Sequence, residues 1–373
     1  MSSTAPKGRP AAKRPASSQT PGAAVPGPLV FSPAALRDYT QAIFVAAGVS
    51  AAVASRLAAS LVLSNQSGHD SHGIIRIPQY IRDIERGQLD PRTEPIVRRS
   101  GPAWALVDGQ WALGHETARF AMGEAVERAR TTGVAFVSTM RTNHIGRLGE
   151  WAEQAAHARM IGMCGGAFTH PAALLVAPHQ GAGRALSTNP MAIGLPRASS
   201  PPLVLDFATS ITPEGKVRVA KEKGAALPPG SLLDRDGQPA TDPNTLYAGG
   251  MLLPFALHKG YALSFMVDAL SVALSGADEP DARGPGGFES GAFFLAIDPA
   301  TFGSFGRWSA ALDRLAHRVR SVPPAPGFTE VLLPGDPEHR ARVERADAIA
   351  VPPTTWATIV EAGRSVGVGP PTG

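Results

Sequence analysis

From Glu116 onward the chain alternates between helical and strand patterns, and this alternation limits the fold more than any other feature. The helix-period stretch "ETARFAMGEAVERARTTG" leads into the strand pattern "VAFVST". The loop "RTNHIGRLG" and a helix ending near Arg159 follow, and "MIGMCGGAF" reads as a buried strand. "MAIGLP" and "LVLDFA" add strands, and a long helix runs from Lys259 to about Ser275. "GAFFLAI" and "FTEVLLP" predict strands on either side of a helix at Trp308–Arg320, and two short helices close the chain. Upstream, Ser32 as an N-cap with Pro33 behind it opens one helix, and Gly48 and Ser50 separate it from a second. A third carries Ile77, Tyr80, Ile81 and Ile84 at helical spacing and stops at Gly87. Short strands are expected around Pro95–Arg98 and Trp104–Val107. The layout is that of an α/β or mixed α+β enzyme, and 373 residues exceed a typical single domain.

The net charge of +4 suggests nucleic acid only until it is located. Residues 1–28 hold Lys7, Arg9, Lys13 and Arg14 and no acid, so removing these four from 35 basic residues leaves 31 against 31 acidic ones. A neutral body argues against an extended phosphate-binding face. The tail is rich in Pro, Ala and Ser, reads as disordered, and lacks the apolar run of a signal peptide. The lone Cys164 excludes an intramolecular disulfide framework and multi-cysteine metal sites, as befits a reducing cytoplasm. The longest apolar stretch, from Met251, is broken by His258, Lys259 and Asp268, which predicts a buried helix rather than a membrane span.

Familiar catalytic motifs fail on context. "GRSVG" at Gly363–Gly367 has no acid or histidine after it, so it is not a hydrolase elbow. "GAGRAL" and "GPGGFE" each lack the third glycine of a dinucleotide fingerprint, and His115 opens "HETAR" without the second histidine of a zinc motif. No metal site is expected.

Six segments keep chemical interest. In "HDSHGIIR", a helical turn after Gly73 would set Arg76 on one face with His72. Guanidinium beside imidazole suits a carboxylate next to a reacting carbonyl or imine: a bidentate anchor and a proton carrier. The bland alternative, with Asp70 and Ser71 capping a helix and both histidines on the surface, is locally the more common arrangement. His144 sits in a loop at a strand end, where α/β folds handle ligands. Thr188, Asn189 and Pro190 form a polar turn able to present N–H groups to a phosphate. Asp206 closes an apolar strand, where it can orient a histidine or cap a helix. Lys259 opens a helix against the dipole and so better serves a phosphate, and "LLPGDPEHR" completes the set.

Together and in order, "GHDSHGIIRIPQY", "NHIGRLG", "STNPMAIGLP", "LDFATS", "HKGYAL" and "LLPGDPE" resemble the malate/L-lactate dehydrogenase family, distinct from the Rossmann-type enzymes of similar name. Its relatives include ureidoglycolate and sulfolactate dehydrogenases, diketogulonate reductase and the piperideine/pyrroline-2-carboxylate reductases. The resemblance covers about residues 30–370. It implies a non-Rossmann NAD(P)-binding domain on a largely antiparallel sheet surrounded by helices, plus a helical domain from the two ends of the chain. The expected division is 1–28 tail, 29–125 with 305–373 helical substrate and dimerisation domain, and 126–304 cofactor domain. The implied activity is hydride transfer between NAD or NADP and C2 of a small 2-oxo or 2-hydroxy acid, in a cytoplasmic homodimer without nucleic-acid or membrane partners. A cyclic 2-imino acid is the alternative substrate, and a non-catalytic binding protein on the same fold the alternative class. By the resemblance, His72 is the proton donor and acceptor with Ser71 and Asp206 as relay partners, and Arg76 holds the substrate carboxylate. His144 lines the pocket or shares the acid–base work, and Thr188, Asn189, Pro190, His258, Lys259, Gly335 and Asp336 surround the cofactor. Ser187 and Asp336 stand where the family commonly has glycine and glutamate.

Overall fold

The computed structural model describes residues 27–222, 224–278 and 290–371; most of the expected tail and the "GPGGFE" segment fall outside them. The first half runs β1 (Leu29–Phe31), α1 (Pro33–Ala46), α2 (Ala51–Gln66), α3 (Ile77–Glu85), β2 (Ile96–Gly101), β3 (Trp104–Asp108), α4 (Gly114–Thr132), β4 (Val134–Thr142), α5 (Leu148–His157) and β5 (Ile161–Phe168). It continues through β6 (Met191–Leu195), β7 (Leu203–Phe207), α6 (Glu214–Glu222), β8 (Leu232–Leu233), β9 (Pro239–Ala240), α7 (Asn244–Tyr247), β10 (Met251–Leu252) and α8 (His258–Asp268). The remainder is β11 (Ser290–Ile297), α9 (Phe305–Arg320), α10 (Asp336–Glu344), β12 (Ile349–Val351) and α11 (Pro353–Ser365). Helix starts follow the expected capping: Ser32 accepts from Ala35 N at 3.1 Å and Ser50 from Val53 N at 3.4 Å.

Seven strands form the main sheet in the order β2-β3-β4-β11-β5-β6-β7. Only β3 and β4 are parallel, joined by the crossover helix α4; the other pairings are antiparallel, as expected. The α4 face against the sheet is small, with Ala118, Ala121, Ala125 and Ala129 fully buried, so helix and strands approach closely. Helix α5 sits on β5 and β6 over the paired glycines Gly162 and Gly194. A Cβ on Gly194 would stand 2.3 Å from Ala152 O, and one on Gly162 2.5 Å from Ala155 Cβ, so only glycine admits the helix.

A second core joins α1, α2 and α3 to β12 and α11, with Phe44, Ile43, Leu57, Leu61, Ile77, Ile349 and Ile359 inside. The antiparallel pair β1–β12 and the Phe31–Trp356 ring contact at 4.2 Å bring the two chain ends together.

Three expectations need correction. The boundary at 125/126 cuts through α4, and β2, β3 and α4 pack with the main sheet rather than with the helical layer. Helix α9 likewise covers β6 and β7, where Leu312 and Ala316 pack with Leu203, because its apolar stripe faces that sheet edge. The "FTEVLLP" strand is irregular: Phe328 is 72% exposed, and the segment meets the sheet where Pro334 O accepts from Val204 N at 3.1 Å. A β-branched pattern without a neighbouring strand has no ladder to join. The long helix from Lys259 ends at Asp268 and continues as a wider π turn, Ala269–Ala273.

Candidate active site

Between α2 and α3 the chain makes two short turns, Asp70–His72 and Ile74–Arg76, broken at Gly73. The amide of Asn65 holds them: Oδ1 accepts from Ile74 N at 2.9 Å and Nδ2 donates to Asp70 Oδ1 at 2.7 Å. A Cβ on Gly73 would lie 2.1 Å from that Asn65 oxygen, which makes this glycine obligatory. Asp70 also accepts from Arg345 Nη1 at 3.0 Å, and His69 Nε2 faces Glu338 Oε1 at 3.2 Å. Both therefore brace the turn. The expected single helical face for His72 and Arg76 is not formed; the paired turns bring them together instead.

Ser71 Oγ lies 3.0 Å from His72 Nδ1. The His72 ring stacks on His144, with centroids 5.6 Å apart and planes 19° from parallel. His144 comes from the loop after β4, where the neighbouring Asn143 amide donates to Trp111 O and Ala112 O, each at 2.9 Å. Its own Nδ1 is 2.6 Å from Tyr80 Oη, and the Phe168 ring stacks with it at 6.2 Å. Behind stands His115, 3% exposed, edge-on to Tyr80 and His144, with both ring nitrogens sealed from solvent and unpaired. The Nε2 atoms of His72 and His144, by contrast, have no partner among the described residues and keep solvent access.

Arg76 donates Nε to Ser71 O at 2.7 Å and Nη1 to Gln79 Oε1 at 2.8 Å, and among the described residues it pairs with no carboxylate. Burial lowers its pKa, with Arg218 acting in the same direction and Tyr80, Glu214 and Asp83 opposing it. Burial, then the Arg76 charge, pushes His72 and His144 well below the usual histidine range. Burial takes His115 down to about 4. The cluster thus presents two neutral imidazoles beside a guanidinium with no counter-ion among the described residues.

Asp206 does not join them. Its Oδ2 accepts from Gly149 N at 2.8 Å, which caps α5, and its charge faces Arg147 rather than His72. The strand end points the carboxylate under α5, so the expected Asp206–Ser71–His72 relay reduces to Ser71 and His72. Helix α6, absent from the sequence expectations, lies against the turn: a Cβ on Gly215 would be 2.7 Å from Ser71 Cβ. Its Glu214 accepts from Arg218 Nη2 at 2.8 Å and from Tyr247 Oη at 2.9 Å. Sequence reasoning also passed over Tyr80 and His115. Tyr80 looked like one more apolar-face residue of α3, and nothing in "GHETAR" marks a buried imidazole.

The residues expected at the cofactor fall into two groups along β7. Thr188 O accepts from Thr209 N at 3.0 Å, and Thr209 O from Phe255 N at 3.0 Å, which draws the Thr188–Pro190 turn to the loop before α8. Asn189 is wholly buried with φ +36°, and its Nδ2 donates to Ser264 O at 2.9 Å and Asp268 Oδ2 at 3.1 Å. It anchors the turn to α8 rather than facing a ligand. His258 and Lys259 are exposed on the first turn of α8, whose N-terminus has no side-chain cap. Gly335, at φ +92°, packs on Val204 instead, and the Asp336 carboxylate is taken by Arg320 Nη2 at 2.8 Å and Leu333 N at 2.7 Å. Val204 and Thr209 are at most about 17 Å apart along the chain.

A profile of the family described as malate/L-lactate dehydrogenase matches residues 31–360. The chain belongs to this family. It is 35% identical over 346 residues to hydroxycarboxylate dehydrogenase B of Escherichia coli O157:H7, covering 91% of this chain and 94% of that one. It is 33% identical over 326 residues to the Δ1-pyrroline-2-carboxylate/Δ1-piperideine-2-carboxylate reductase of Pseudomonas syringae pv. tomato, covering 84% and 90%. The structure of sulfolactate dehydrogenase from Methanocaldococcus jannaschii superposes with a TM-score of 0.83 at 31% identity, covering 91% of this chain and 98% of that one. The mixed fold and largely antiparallel sheet agree with that membership, and the chain is an oxidoreductase of the dehydrogenase/reductase type. Dehydrogenases of the family use nicotinamide cofactors. The uncapped N-terminus of α8 beside Lys259, which has no ion pair among the described residues, fits the phosphates of such a group.

Proposed function

We propose that the protein catalyses reversible hydride transfer between NADH or NADPH and C2 of a small 2-oxo acid, giving the 2-hydroxy acid. The observation that carries this reading is Arg76, a desolvated guanidinium without a carboxylate, beside two imidazoles with open Nε2 atoms. A part-buried charge without a counter-ion among the described residues calls for an anion, and a substrate carboxylate supplies it in bidentate form. When bound, the reduced nicotinamide supplies the hydride to C2. Thr188, Pro190, His258, Lys259, Gly335 and Asp336 would surround it, with Asn189 holding their turn.

The remaining work falls to the chain's own side chains. Carboxylate binding neutralises the Arg76 field, which is the largest charge effect holding His72 unprotonated. Substrate binding therefore raises the proton affinity of His72 and loads it as a general acid. His72 then gives its Nε2 proton to the C2 oxygen as negative charge builds there, and Ser71 Oγ steadies Nδ1. In the reverse direction His72 takes the proton from the hydroxyl.

A cyclic 2-imino acid carries the same carboxylate beside a nitrogen that needs the same proton, and the 33% identical pyrroline/piperideine-2-carboxylate reductase supports it as the second substrate class. Assembly as a homodimer belongs to this reading. Phe265, Met266, Leu270 and Leu274 expose an apolar face on α8 and its continuation, and Leu274 shares a groove with Trp104 and Phe136. A cytoplasmic location is part of it too, in keeping with a single, buried cysteine. The test is a panel of 2-oxo acids and cyclic imines assayed with both cofactors. Turnover of at least one is expected, lowered roughly 100- to 10,000-fold in His72→Ala while cofactor binding persists. Full turnover in that variant would remove His72 from the chemistry.

A further inference from the structure

The two stacked imidazoles have different partners, and the difference fixes one of them. Ser71 beside His72 Nδ1 is a part-exposed hydroxyl able to donate or accept, so His72 can exchange its proton between nitrogens. Tyr80 beside His144 Nδ1 is 2% exposed, and among the described residues His144 Nδ1 is the sole hydrogen-bond partner of its hydroxyl. His115, edge-on to the Tyr80 ring, makes no hydrogen bond to it. Were Tyr80 Oη to accept from Nδ1–H, its own proton would be buried without an acceptor, at a cost that a simple reversal of the bond avoids. Tyr80 therefore donates, and Nδ1 accepts. Burial keeps the Tyr80 phenol protonated and His144 neutral, so the remaining ring proton resides on Nε2, the atom open to the pocket.

We propose that Tyr80 is a positioning residue that locks His144 as an Nε2–H donor to a substrate oxygen, leaving proton transfer to His72 alone. The inference rests on the proposed substrate site and divides its two histidines into a fixed donor and a mobile acid–base group. Hydrogen-bond donation needs no change of protonation during turnover, which suits an imidazole whose tautomer is set from behind.

Nitrogen-15 NMR of the full chain with labelled histidine reads the tautomer directly, the His144 signals being assigned by their loss in His144→Asn. At neutral pH the expected pattern is an unprotonated Nδ1 and a protonated Nε2; a protonated Nδ1 in the wild-type protein overturns the inference. In Tyr80→Phe, His144 should redistribute between tautomers, and kcat/KM should fall on the order of tenfold. A merely structural Tyr80 would lower the melting temperature and leave the tautomer where it was. If Tyr80→Phe does not fold, the wild-type spectrum alone decides. Inactivity toward every 2-oxo acid and imine would sink the proposed function without touching the tautomer result, whereas Nδ1–H in an active enzyme sinks this inference alone.

Discussion

Two arginines show how the same side chain is used for opposite ends. Arg147, 1% exposed, donates Nη2 to Glu153 at 2.7 Å, and Glu153 also accepts from Arg342 at 2.6 Å. With the Asp206 charge added, its pKa is raised despite burial. Arg76 is desolvated too, yet its hydrogen bonds go to a carbonyl and an amide, and its pKa is lowered. The Arg147 network joins α5 to α10: Nε and Nη1 are buried without a hydrogen-bond partner among the described residues, but the charge is matched by Glu153 and Asp206. Arg76 retains a charge deficit that the fold does not answer. A buried charge with its counter-ion built in holds structure, and one without it holds ligand.

The comparison breaks first at Arg147. Replacing it by Met leaves Glu153 and Asp206 as buried carboxylates with less compensation, and should lower unfolding free energy by about 3–5 kcal/mol in urea titration. An unchanged midpoint would mean that solvent already compensates the network. Arg76→Met should do the reverse: stability equal or slightly higher, because a desolvated charge is gone, with kcat/KM down roughly a hundredfold. Arg76→Lys restores the charge without the fork and should show the smaller loss, mainly as a raised KM. If Arg76→Met instead destabilised the protein as strongly as Arg147→Met, the two arginines would belong to one class and Arg76 would leave the substrate site.

The sequence made one of these arginines legible and not the other. "HDSHGIIR" displays His72 and Arg76 within one short segment, so their pairing is open to a sequence reading even though a capped helix start is locally the more common arrangement. Arg147 lies just beyond "NHIG", but its meaning depends on Glu153, Asp206 and Arg342, which only packing assembles. The same limit explains Asp206. A carboxylate closing an apolar strand can orient a histidine or cap a helix, and strand pairing decides which; here β6 and β7 carry it under α5. Local signals located most helix starts, and all seven main-sheet strands were placed by their patterns, whereas "FTEVLLP" failed because β pattern without an adjacent edge is no strand. Tyr80 and His115 were illegible for the opposite reason: both sit on apolar helix faces, where a polar tip is invisible until its neighbour is known.

His115 supplies the smallest and most selective test, because it is a third buried cationic candidate that the fold answers by keeping it neutral. Its folded pKa of about 4 lies below the ordinary value of 6.5, so between those limits the unfolded chain binds more protons than the folded one. Stability associated with neutral His115 is thus complete above pH 6.5 and is lost as pH falls toward 4, by about 3 kcal/mol in all. His115→Leu removes the proton site and both unpaired nitrogens while keeping an apolar filling against Gly146. Relative to wild type, the variant should gain stability progressively from pH 7 to pH 4 in parallel urea titrations. A constant difference across that range would show that His115 stays protonated or solvent-coupled in the folded protein, and that the layer behind Tyr80 and His144 is wetter than its burial implies.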